Sequence, residues 1–589
     1  MFPVKRIDTL HANASYIIHL QKVDKKGTVY NRHIAVVYRL NERKLIKLSK
    51  AFIFIPTQYK DIESGNILLT NTHPQSISTP FNPGSFDFAS FANNKNIFLS
   101  CFLNKEHDFI KIGDKKNKLT TFLNQCRTWI IATLQKQIGS PKEAGLAEAL
   151  LIGYKEDLDE ELQAQYTLSG ISHIIAVSGM HLGLIFSVLS YLLSLITKRK
   201  ILRLFSFGII LPLLWTFALI TGASASVLRS VLVFSFVLFG NLLLKRSTSI
   251  NVLLASAFFL LVLQPTLLYD IGFQLSYAAV LSILIYEPLI SKLVYTKNKL
   301  IKYLWEMVSI TLAAQILTTP IILYHFNQFP LFFLITNMVA VPLSSLVLLL
   351  TILLCLMSAL AFPSSLLIDS MLILIKMMNN YVAKIASIPN NTVHLQTSIA
   401  FTSGMFISIA VITYAFTHKH SNMRLMIVSS ILFLSLLYQF DYFKLRWRNQ
   451  VIVLNIKNAT AIVHQHGKRG HLLVSNNYLT NSYFTEKHLL QVSKALGISN
   501  WKVSELKQSP AMVGIMDYKS KKKLIVFTGF SQSGTPLTHL IPESERSAEL
   551  IADKSNSLWK IREWEKQAQE LHLRLHSTPT KGAFQTNCN

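Results

Sequence analysis

Charged residues are scarce in this chain: 15% of its 589 residues are Asp, Glu, Lys or Arg, whereas 50% are hydrophobic. Soluble domains carry charge on about a quarter of their residues. The shortage argues against an ordinary soluble protein and indicates an integral membrane protein with attached soluble parts. Acidic residues are the rarer sign, with 31 Asp and Glu against 58 Lys and Arg and a formal net charge of +27. We expect the excess in cytoplasmic loops and in soluble regions suited to a polyanion or acidic lipid headgroups.

Several chemical signatures are missing from the sequence. It contains four cysteines but no CxxC pair or Cys/His cluster with zinc spacing, and no GxxxxGK[ST] phosphate loop. We therefore predict no metal site, no cofactor and no built-in nucleotide-driven motor. Cys101 and Cys126 are candidates for a disulfide if their region is extracytoplasmic, and two unpaired buried thiols are the equal alternative. Residues 1–20 contain no continuous apolar core, so no signal peptide is predicted.

The patterns in residues 1–170 are typical of soluble structure rather than of membrane spans. Apolar and polar residues alternate with period two at residues 33–40, and residues 15–23 and 50–57 resemble further strands. We predict a small β-barrel domain over residues 1–118. Helical spacing from residue 120 onward, restarted at Pro141, predicts amphipathic helices over residues 119–170.

The region from residue 171 to residue 440 predicts a helical membrane bundle of about ten spans. Each apolar stretch approaches or exceeds the roughly 18–20 residues needed to cross a bilayer. The stretch at 331–361 is too long for one straight helix and contains Asn337 and Pro342, so we expect it to be broken or strongly tilted. The predicted spans are 173–195, 201–221, 225–244, 250–268, 271–290, 303–323, 331–361, 364–386, 398–416 and 423–440.

Basic loops orient this bundle. The loops after the first, third, fifth and ninth spans are basic and fall on one side, which the positive-inside rule makes cytoplasmic. We therefore predict a multi-pass protein of the cytoplasmic (inner) membrane with both soluble ends extracytoplasmic. A basic cluster after the tenth span disagrees with this orientation. The concordant residues are Lys198, Arg199, Lys200, Arg203, Lys245, Arg246, Lys292, Lys297, Lys299, Lys302, Lys419 and Arg424, and the discordant ones are Lys444, Arg446 and Arg448.

Polar residues inside the apolar spans are the candidate functional residues. The stretch HIIAVSGMHLGLIFS at residues 173–187 places a serine, a glycine and a histidine where burial in hydrocarbon is costly. An arginine about one turn into the third span is the strongest electrostatic candidate. Such residues either line a substrate path or brace helix packing through hydrogen bonds, and both readings remain open. The candidates for the path are Ser178, Gly179, His181, Arg229, Gln274, Ser276 and Asn337.

Aromatic and basic residues interleave in the predicted β domain. That mixture suits single-stranded nucleic acid, since bases stack on aromatic rings while phosphates meet cations. The alternative is that the rings form the domain core. The candidate DNA-binding residues are Lys22, Lys25, Arg32, Tyr38 and Arg39.

Six segments, in this order, resemble those of the ComEC family of DNA-competence proteins, over roughly residues 15–440. The resemblance implies an OB-like N-terminal domain, a transmembrane competence domain, and passage of DNA across the inner membrane. The segments are NPGSFDF (82–88), ALLIGYKEDL (149–158), SGISHIIAVSGMHLGLI (169–185), TGASASVLRS (221–230), DIGFQLSYAAV (270–280) and TTPIILYHFNQFPLFFLITNMVAVPL (318–343).

Two departures accompany the resemblance. Family members usually carry membrane helices before the OB-like domain, so we expect a late start or a truncation here. Many also end in a metallo-β-lactamase-like domain with an HxHxDH metal cluster. Residues 441–589 predict a mixed α/β soluble tail, but Asn455, Lys457 and Asn458 replace the expected acidic and glycine residues, and only His464 and His466 form an HxH. We interpret the tail as a non-catalytic, degenerate relative of that domain and predict that the chain is not an enzyme.

We predict that the chain is a channel for single-stranded DNA across the cytoplasmic membrane during natural transformation. The resemblance implies a cytoplasmic helicase-like motor and DNA-binding proteins as partners, together with an extracytoplasmic DNA receptor, a separate nuclease and the surrounding membrane lipid. Two alternatives stay open. One is an intramembrane hydrolase that uses Ser178, His181 and Asp270, and the other is a small-solute transporter.

Overall fold

The computed structural model divides the chain into two compact units. The first contains Met1–Gln75 and Asn94–Leu395, and the second contains Ser76–Asn93 and Gln396–Asn589. The residues that the structure describes are 14–25, 27–41, 44–59, 61–77, 82–85, 87–105, 108–115, 118–196, 204–243, 248–362, 364–395, 397–418, 422–475, 489–506, 512–516, 523–527, 536–541 and 548–587.

Seven strands form the N-terminal sheet, in the order β5-β6-β3-β2-β1-β4-β7. The first three strands make an antiparallel meander, and β6 joins β3 in parallel. Strands are therefore present at each of the three predicted stretches. Their bounds are β1 (Tyr16–Lys25), β2 (Tyr30–Asn41), β3 (Lys44–Pro56), β4 (Asn66–Thr70), β5 (Gln75–Ser76), β6 (Ile97–Phe102) and β7 (Phe109–Asp114), with the short helix α1 (Phe88–Asn94) between β5 and β6.

The predicted barrel is not closed among the described strands. The edge strands β5 and β7 have one neighbour each, so the sheet stays open. Bulges between Leu20 and Lys22 and between Val37 and Tyr38 bend it around a core that includes Ile18, Val37 and Leu99. The structure thus supports a sheet-rich N-terminal region, whereas the OB-like closure remains a prediction.

Of the two alternatives for Cys101 and Cys126, the disulfide is not formed, since both residues are free thiols. Cys101 lies in the core of the sheet, 2% exposed, with its Sγ 3.9 Å from the Thr72 carbonyl oxygen. Burial, with a smaller contribution from Asp108, raises the pKa of the Cys101 thiol to about 12. Cys126 lies on a half-buried face of the following helix. The two side chains therefore belong to different packing environments.

Four helices connect the sheet to the apolar bundle: α2 (Lys118–Ile138), α3 (Pro141–Ile152), α4 (Glu160–Leu168) and α5 (Ser172–Ile175). The helix α3 begins at Pro141, whose fixed φ suits a first helical turn, and ends at Gly153 in the left-handed conformation (φ 70°). Residues 144–152 of α3 are all buried, in a core shared with two long apolar helices. The helical stretch predicted after Pro141 is therefore two helices, of which the first is buried from Glu143 to Ile152.

In the part of the chain that the structure describes, ten apolar helices follow, and seven of them are long and apolar enough to cross a membrane. The seven are α8 and α10–α15, whereas the apolar stretches of α6, α7 and α9 are shorter, at 10–17 residues. This supports a multi-pass membrane protein, while the count of ten spans remains a prediction. The bounds are α6 (Gly179–Ile196), α7 (Leu211–Ile220), α8 (Ala225–Leu242), α9 (Ser249–Leu263), α10 (Ile271–Ile290), α11 (Lys299–Phe326), α12 (Phe333–Ala359), α13 (Ser365–Ala386), α14 (Ile399–Thr417) and α15 (Met423–Arg446). Two short strands between these helices, β8 (Gln328–Pro330) and β9 (Thr392–His394), pair antiparallel.

Two helix boundaries differ from the prediction. The first span was expected to start at residue 173, but Ala176 is extended (ψ 132°) and α6 begins at Gly179. The stretch at 331–361 is one continuous helix of 27 residues that runs through Pro342. At about 1.5 Å per residue it is roughly 40 Å long, which exceeds the hydrocarbon thickness of about 30 Å and favours tilt over a break.

The C-terminal region is a mixed α/β unit, as predicted. Its strands form one sheet in the order β13-β12-β11-β10-β18 and another in the order β14-β15-β16-β17. The bounds are β10 (Asn449–Val453), β11 (Ala461–His466), β12 (Arg469–Ser475), α16 (Leu490–Leu496), β13 (Asn500–Leu506), β14 (Met512–Met516), β15 (Lys523–Phe527), α17 (Leu537–Leu540), β16 (Glu549–Ala552), α18 (Leu558–Glu570), β17 (Leu575–Ser577), α19 (Thr578–Lys581) and β18 (Phe584–Asn587).

The sequence also predicts a disordered end after His576, and this prediction is wrong. The strand β18 pairs antiparallel with β10 and completes the edge of the first sheet. Phe584 anchors it, with 6% of its surface exposed, in a core with Val451 and Ile462. The composition of this segment is polar although it forms an edge strand, because Phe584 is the one buried residue of that strand.

Candidate functional site

The motif at 173–187 meets the bundle at the start of α6. The backbone N–H of Ser178 donates to Nδ1 of His181 over 3.1 Å. A neutral imidazole that accepts at Nδ1 carries its proton on Nε2. His181 is fully buried, and its Nε2 has no hydrogen-bond partner among the described residues. Nδ1 of His181 therefore binds the backbone at the start of α6, whereas its Nε2–H is a donor without a partner among the described residues.

Arg229 lies one turn into α8 and is 7% exposed. Its Nη2 donates to Ser230 Oγ over 3.1 Å, and the guanidinium lies 5.9 Å from the centroid of the Tyr277 ring. Its Nε has no partner, and no carboxylate of the described part of the chain forms an ion pair with it. A buried arginine without a carboxylate is rare, because the uncompensated charge is costly at membrane depth.

Gly179 lets α6 approach this arginine. A Cβ at position 179 would overlap the Arg229 guanidinium and lie 2.7 Å from Ser230 Oγ. A larger residue here would require the Arg229 guanidinium and the Ser230 hydroxyl to shift. Gly179, Arg229, Ser230 and Tyr277, termed the arginine cluster below, bring together three segments that are far apart in sequence.

Serine and tyrosine hydroxyls hold the helices around the arginine cluster. Ser276 of α10 lies 3.0 Å from Ser226 of α8, oxygen to oxygen. The Tyr277 hydroxyl lies 3.0 Å from Ser256 Oγ of α9. The predicted path residue Ser276 therefore joins the cluster as a packing bridge between α8 and α10. Ser230 and Tyr277 were missed as candidates, although both lie inside the motifs that led to Arg229 and Gln274.

Two predicted path residues have other surroundings. Gln274 donates from Nε2 to the Leu268 carbonyl oxygen over 2.9 Å, and its Oε1 is 3.4 Å from Nε2 of His325. Asn337 lies on α12, 6% exposed, with a buried Oδ1 that has no hydrogen-bond partner among the described residues. No hydrogen bond in the described part of the bundle links either residue to the arginine cluster.

The geometry does not assemble a Ser–His–Asp relay. Asp270 caps α10, its Oδ1 accepting from the Phe273 backbone N–H over 2.8 Å. In a hydrolytic triad the carboxylate accepts from histidine Nδ1–H. Here Nδ1 of His181 already accepts from a backbone N–H, which leaves the ring unsuited to take a proton from Ser178.

The predicted DNA-binding residues of the sheet differ in their burial and in the contacts that they make within the sheet. Arg32 forms an ion pair with Asp24, with its Nη2 at 2.6 Å, and lies 4.8 Å above the Phe52 ring. The Tyr38 ring packs against His19, with centroids 4.8 Å apart. Arg39, half-buried like Arg32, lies opposite the core residue Tyr16 in the strand register. The other two cations, Lys22 and Lys25, are exposed.

In the C-terminal unit, the HxH residues do not form a metal centre. His464 and His466 lie on β11, and the ring of His466 contacts Asn449. Among the described residues, no group of three or more His, Cys, Asp or Glu side chains is arranged to hold a metal ion.

Family models match two parts of the chain. Residues 150–420 match the family described as Competence protein, and residues 451–588 match the one described as ComEC C-terminal domain. The first match contains the whole arginine cluster. No solved structure matches the chain.

Curated proteins match over shorter stretches. ComE operon protein 3 of Bacillus subtilis (strain 168) is 28% identical over 265 residues, which cover 44% of this chain and 32% of that protein. Recombination protein 2 of Haemophilus influenzae is 24% identical over 310 residues, covering 51% of this chain and 38% of that protein. An uncharacterized protein of Aquifex aeolicus is 26% identical over 208 residues, covering 34% and 46%. The chain spans about a third of the length of the first two relatives.

Proposed function

We propose that this chain, which belongs to the ComEC family of competence proteins, carries single-stranded DNA across the cytoplasmic membrane during natural transformation. A polyanion cannot enter hydrocarbon, so its path must be polar, lined by protein and assembled between helices. The bundle provides such polar groups at the junction of α6, α8 and α10.

The observation that carries this proposal is the buried guanidinium of Arg229, which has no carboxylate partner in the described part of the chain. An arginine is the side chain best suited to a phosphate, because its planar fork donates two parallel hydrogen bonds. A passing phosphate group supplies the negative charge that the bundle does not. The unpaired Nε2–H of His181 is a second donor of the same kind at the start of α6.

Other components supply what this chain lacks. A cytoplasmic helicase-like motor and DNA-binding proteins pull the strand, and an extracytoplasmic receptor and a separate nuclease deliver it. The exposed Lys22 and Lys25 of the N-terminal sheet offer a basic surface for the incoming DNA. Bilayer lipid surrounds the apolar helices.

The orientation belongs to the same proposal. Ten spans, with the basic loops in the cytoplasm, place both soluble regions outside. The basic loops at residues 198–203 and 245–246, and Lys419, lie outside the described residues, whereas Lys292, Lys297, Lys299 and Lys302 flank the α10–α11 turn.

The decisive variant is Arg229→Met, which keeps the length and apolar packing of the side chain but removes its charge. Replacing an uncompensated buried charge with a methionine should leave the fold intact or more stable. DNA entry into the cytoplasm should fall at least tenfold, because a hydrogen bond to a charged group contributes about 1.5–3 kcal/mol. The measurement is DNase-protected labelled DNA in intact cells, together with transformants per cell.

The controls separate transport from binding and folding. Arg424→Met alters an exposed arginine at the start of α15 and should transform like wild type. DNA bound outside the cell should be unchanged in both variants. Normal transformation by Arg229→Met, at a wild-type level of membrane protein, contradicts the proposed role of Arg229 in the path.

A further inference from the structure

Residues 82–85, Asn-Pro-Gly-Ser, lie against the C-terminal domain. The segment Ser76–Asn93 clusters with Gln396–Asn589, although in sequence it sits between β5 and β6 of the N-terminal sheet. We call Ser76–Asn93 the strap, because it connects β5 to β6 but clusters with the second unit.

Asn82 holds the strap through a two-point amide contact. Its Oδ1 accepts from the backbone N–H of Asn455 over 2.7 Å, and its Nδ2 donates to the carbonyl oxygen of the same residue over 3.0 Å. Both amide ends of the side chain are thus matched to the N–H and C=O of one residue, as in a strand pair. The contact lies just beyond the end of β10.

The next residues of the motif complete the fit. Ser85 closes the turn, its Oγ donating to the Asn82 carbonyl oxygen over 2.7 Å while its backbone N–H reaches the same oxygen over 2.9 Å. Gly84 has φ +76°, and a Cβ there would lie 2.5 Å from the Gln491 carbonyl oxygen and 2.7 Å from Ala495 Cβ of α16. The turn therefore sits with almost no gap between β10 and α16, and glycine is required both by conformation and by space.

The side chain of Asn455 takes no part in this contact. Its Oδ1 and Nδ2 are buried without a hydrogen-bond partner among the described residues, whereas its backbone N–H and C=O both bind Asn82. The side chain of Asn82 therefore binds the backbone of Asn455. The two asparagines are not equivalent, because only the side chain of Asn82 takes part.

We propose that the C-terminal domain is a receptor for the Asn-Pro-Gly-Ser turn, so that it holds the strap between β5 and β6 as a binding partner within the chain. This assigns a binding role to a domain whose described residues form no metal cluster. It also assigns a task to three of the four residues of the turn: Asn82 binds, Gly84 permits close approach and Ser85 fixes the loop.

Hydrogen exchange of the full-length protein in lipid nanodiscs tests this docking without any DNA. In Asn82→Ala, the amides at 455–456, in the strap and in α16 should exchange roughly tenfold faster, because two hydrogen bonds are lost. In Asn455→Ala those amides should exchange at the wild-type rate or slower, since only an unpaired amide is removed. Equal effects of the two alanine variants overturn the assignment of Asn82 as the binding side chain.

A glycine pair separates docking from backbone strain. Gly84→Ala and Gly139→Ala both place a side chain at positive φ (+76° and +71°), but nothing lies within 4 Å of the Cβ at 139. Only Gly84→Ala should raise exchange in α16 and at 455–456. If neither Gly84→Ala nor Asn82→Ala changes exchange there, the proposed receptor role of the C-terminal domain is wrong.

Discussion

Burial of Asp553, a residue of the C-terminal unit, sets the pKa of its carboxyl group. It follows β16, is 0% exposed, and its Oδ1 accepts from the Ser555 backbone N–H and from Asn556 Nδ2 over 3.0 and 3.1 Å. Its Oδ2 has no partner among the described residues. Burial outweighs these hydrogen bonds and raises the pKa of the carboxyl group from 3.8 to about 6. The folded unit therefore favours the protonated acid.

This shift predicts a pH-dependent stability. Because the folded pKa lies above the unfolded value, the stabilisation is fully present below about pH 4 and is lost as the pH rises through about 6. Two pKa units correspond to at most about 3 kcal/mol. We expect Asp553→Asn to remove this part of the dependence and to stabilise the unit at pH 7.5. Hydrogen exchange of β16 and β17 at pH 5 and pH 7.5 measures it, and identical pH profiles for both proteins contradict the prediction.

The contact between α6 and α8 shows how element packing depends on one small residue. Gly179 opens α6 directly over Arg229 and Ser230, whereas Gly183, one turn later, faces only the Phe234 ring edge at 3.6 Å from a notional Cβ. Two glycines on the same helix thus have different roles. The first permits a close approach between backbone and guanidinium, and the second is replaceable.

Gly179→Ala should therefore displace the guanidinium, with a cost in the range of about 1–3 kcal/mol typical of overpacking, and lower DNA entry into the cytoplasm. Gly183→Ala should leave both the level of membrane protein and the uptake of labelled DNA unchanged. The double variant Gly179→Ala/Arg229→Ala should relieve the overlap with the guanidinium but should not restore uptake, because the guanidinium itself is missing. Wild-type uptake by Gly179→Ala would show that the close approach is dispensable.

At the scale of the whole molecule, the discordant basic cluster after the tenth span has a structural explanation. Lys444 and Arg446 lie in the last turn of α15, where cations interact favourably with the exposed carbonyl groups of a helix C-terminus. They need not mark a cytoplasmic loop. The orientation with both soluble regions outside, argued from the other loops, stays a prediction.

Single cysteines at exposed positions test that orientation. In a chain without its native cysteines, Lys105→Cys and Lys566→Cys should react with a membrane-impermeant maleimide in intact spheroplasts. Lys297→Cys, in the turn before α11, should react only after permeabilisation. The opposite pattern reverses the predicted topology, and labelling of Lys105→Cys without Lys566→Cys places the two soluble regions on different sides.

The class of this protein and most of its helices and strands can be predicted from the sequence alone, because hydrophobic periodicity and the length of apolar runs are local properties. The apolar runs, the strands at residues 15–57 and the break at Pro141 were readable without a fold, as was the isolated arginine of α8.

Tertiary structure decided which of these residues meet. Only packing brings Gly179 against Arg229 and adds Ser230 and Tyr277 to them. Packing also separates Cys101 from Cys126 and leaves the described strands of the N-terminal sheet without closure. Only packing also moved the Asn-Pro-Gly-Ser turn next to Asn455, far away in sequence. Contacts of this kind depend on close approach between distant segments, which a linear pattern of hydrophobicity does not encode.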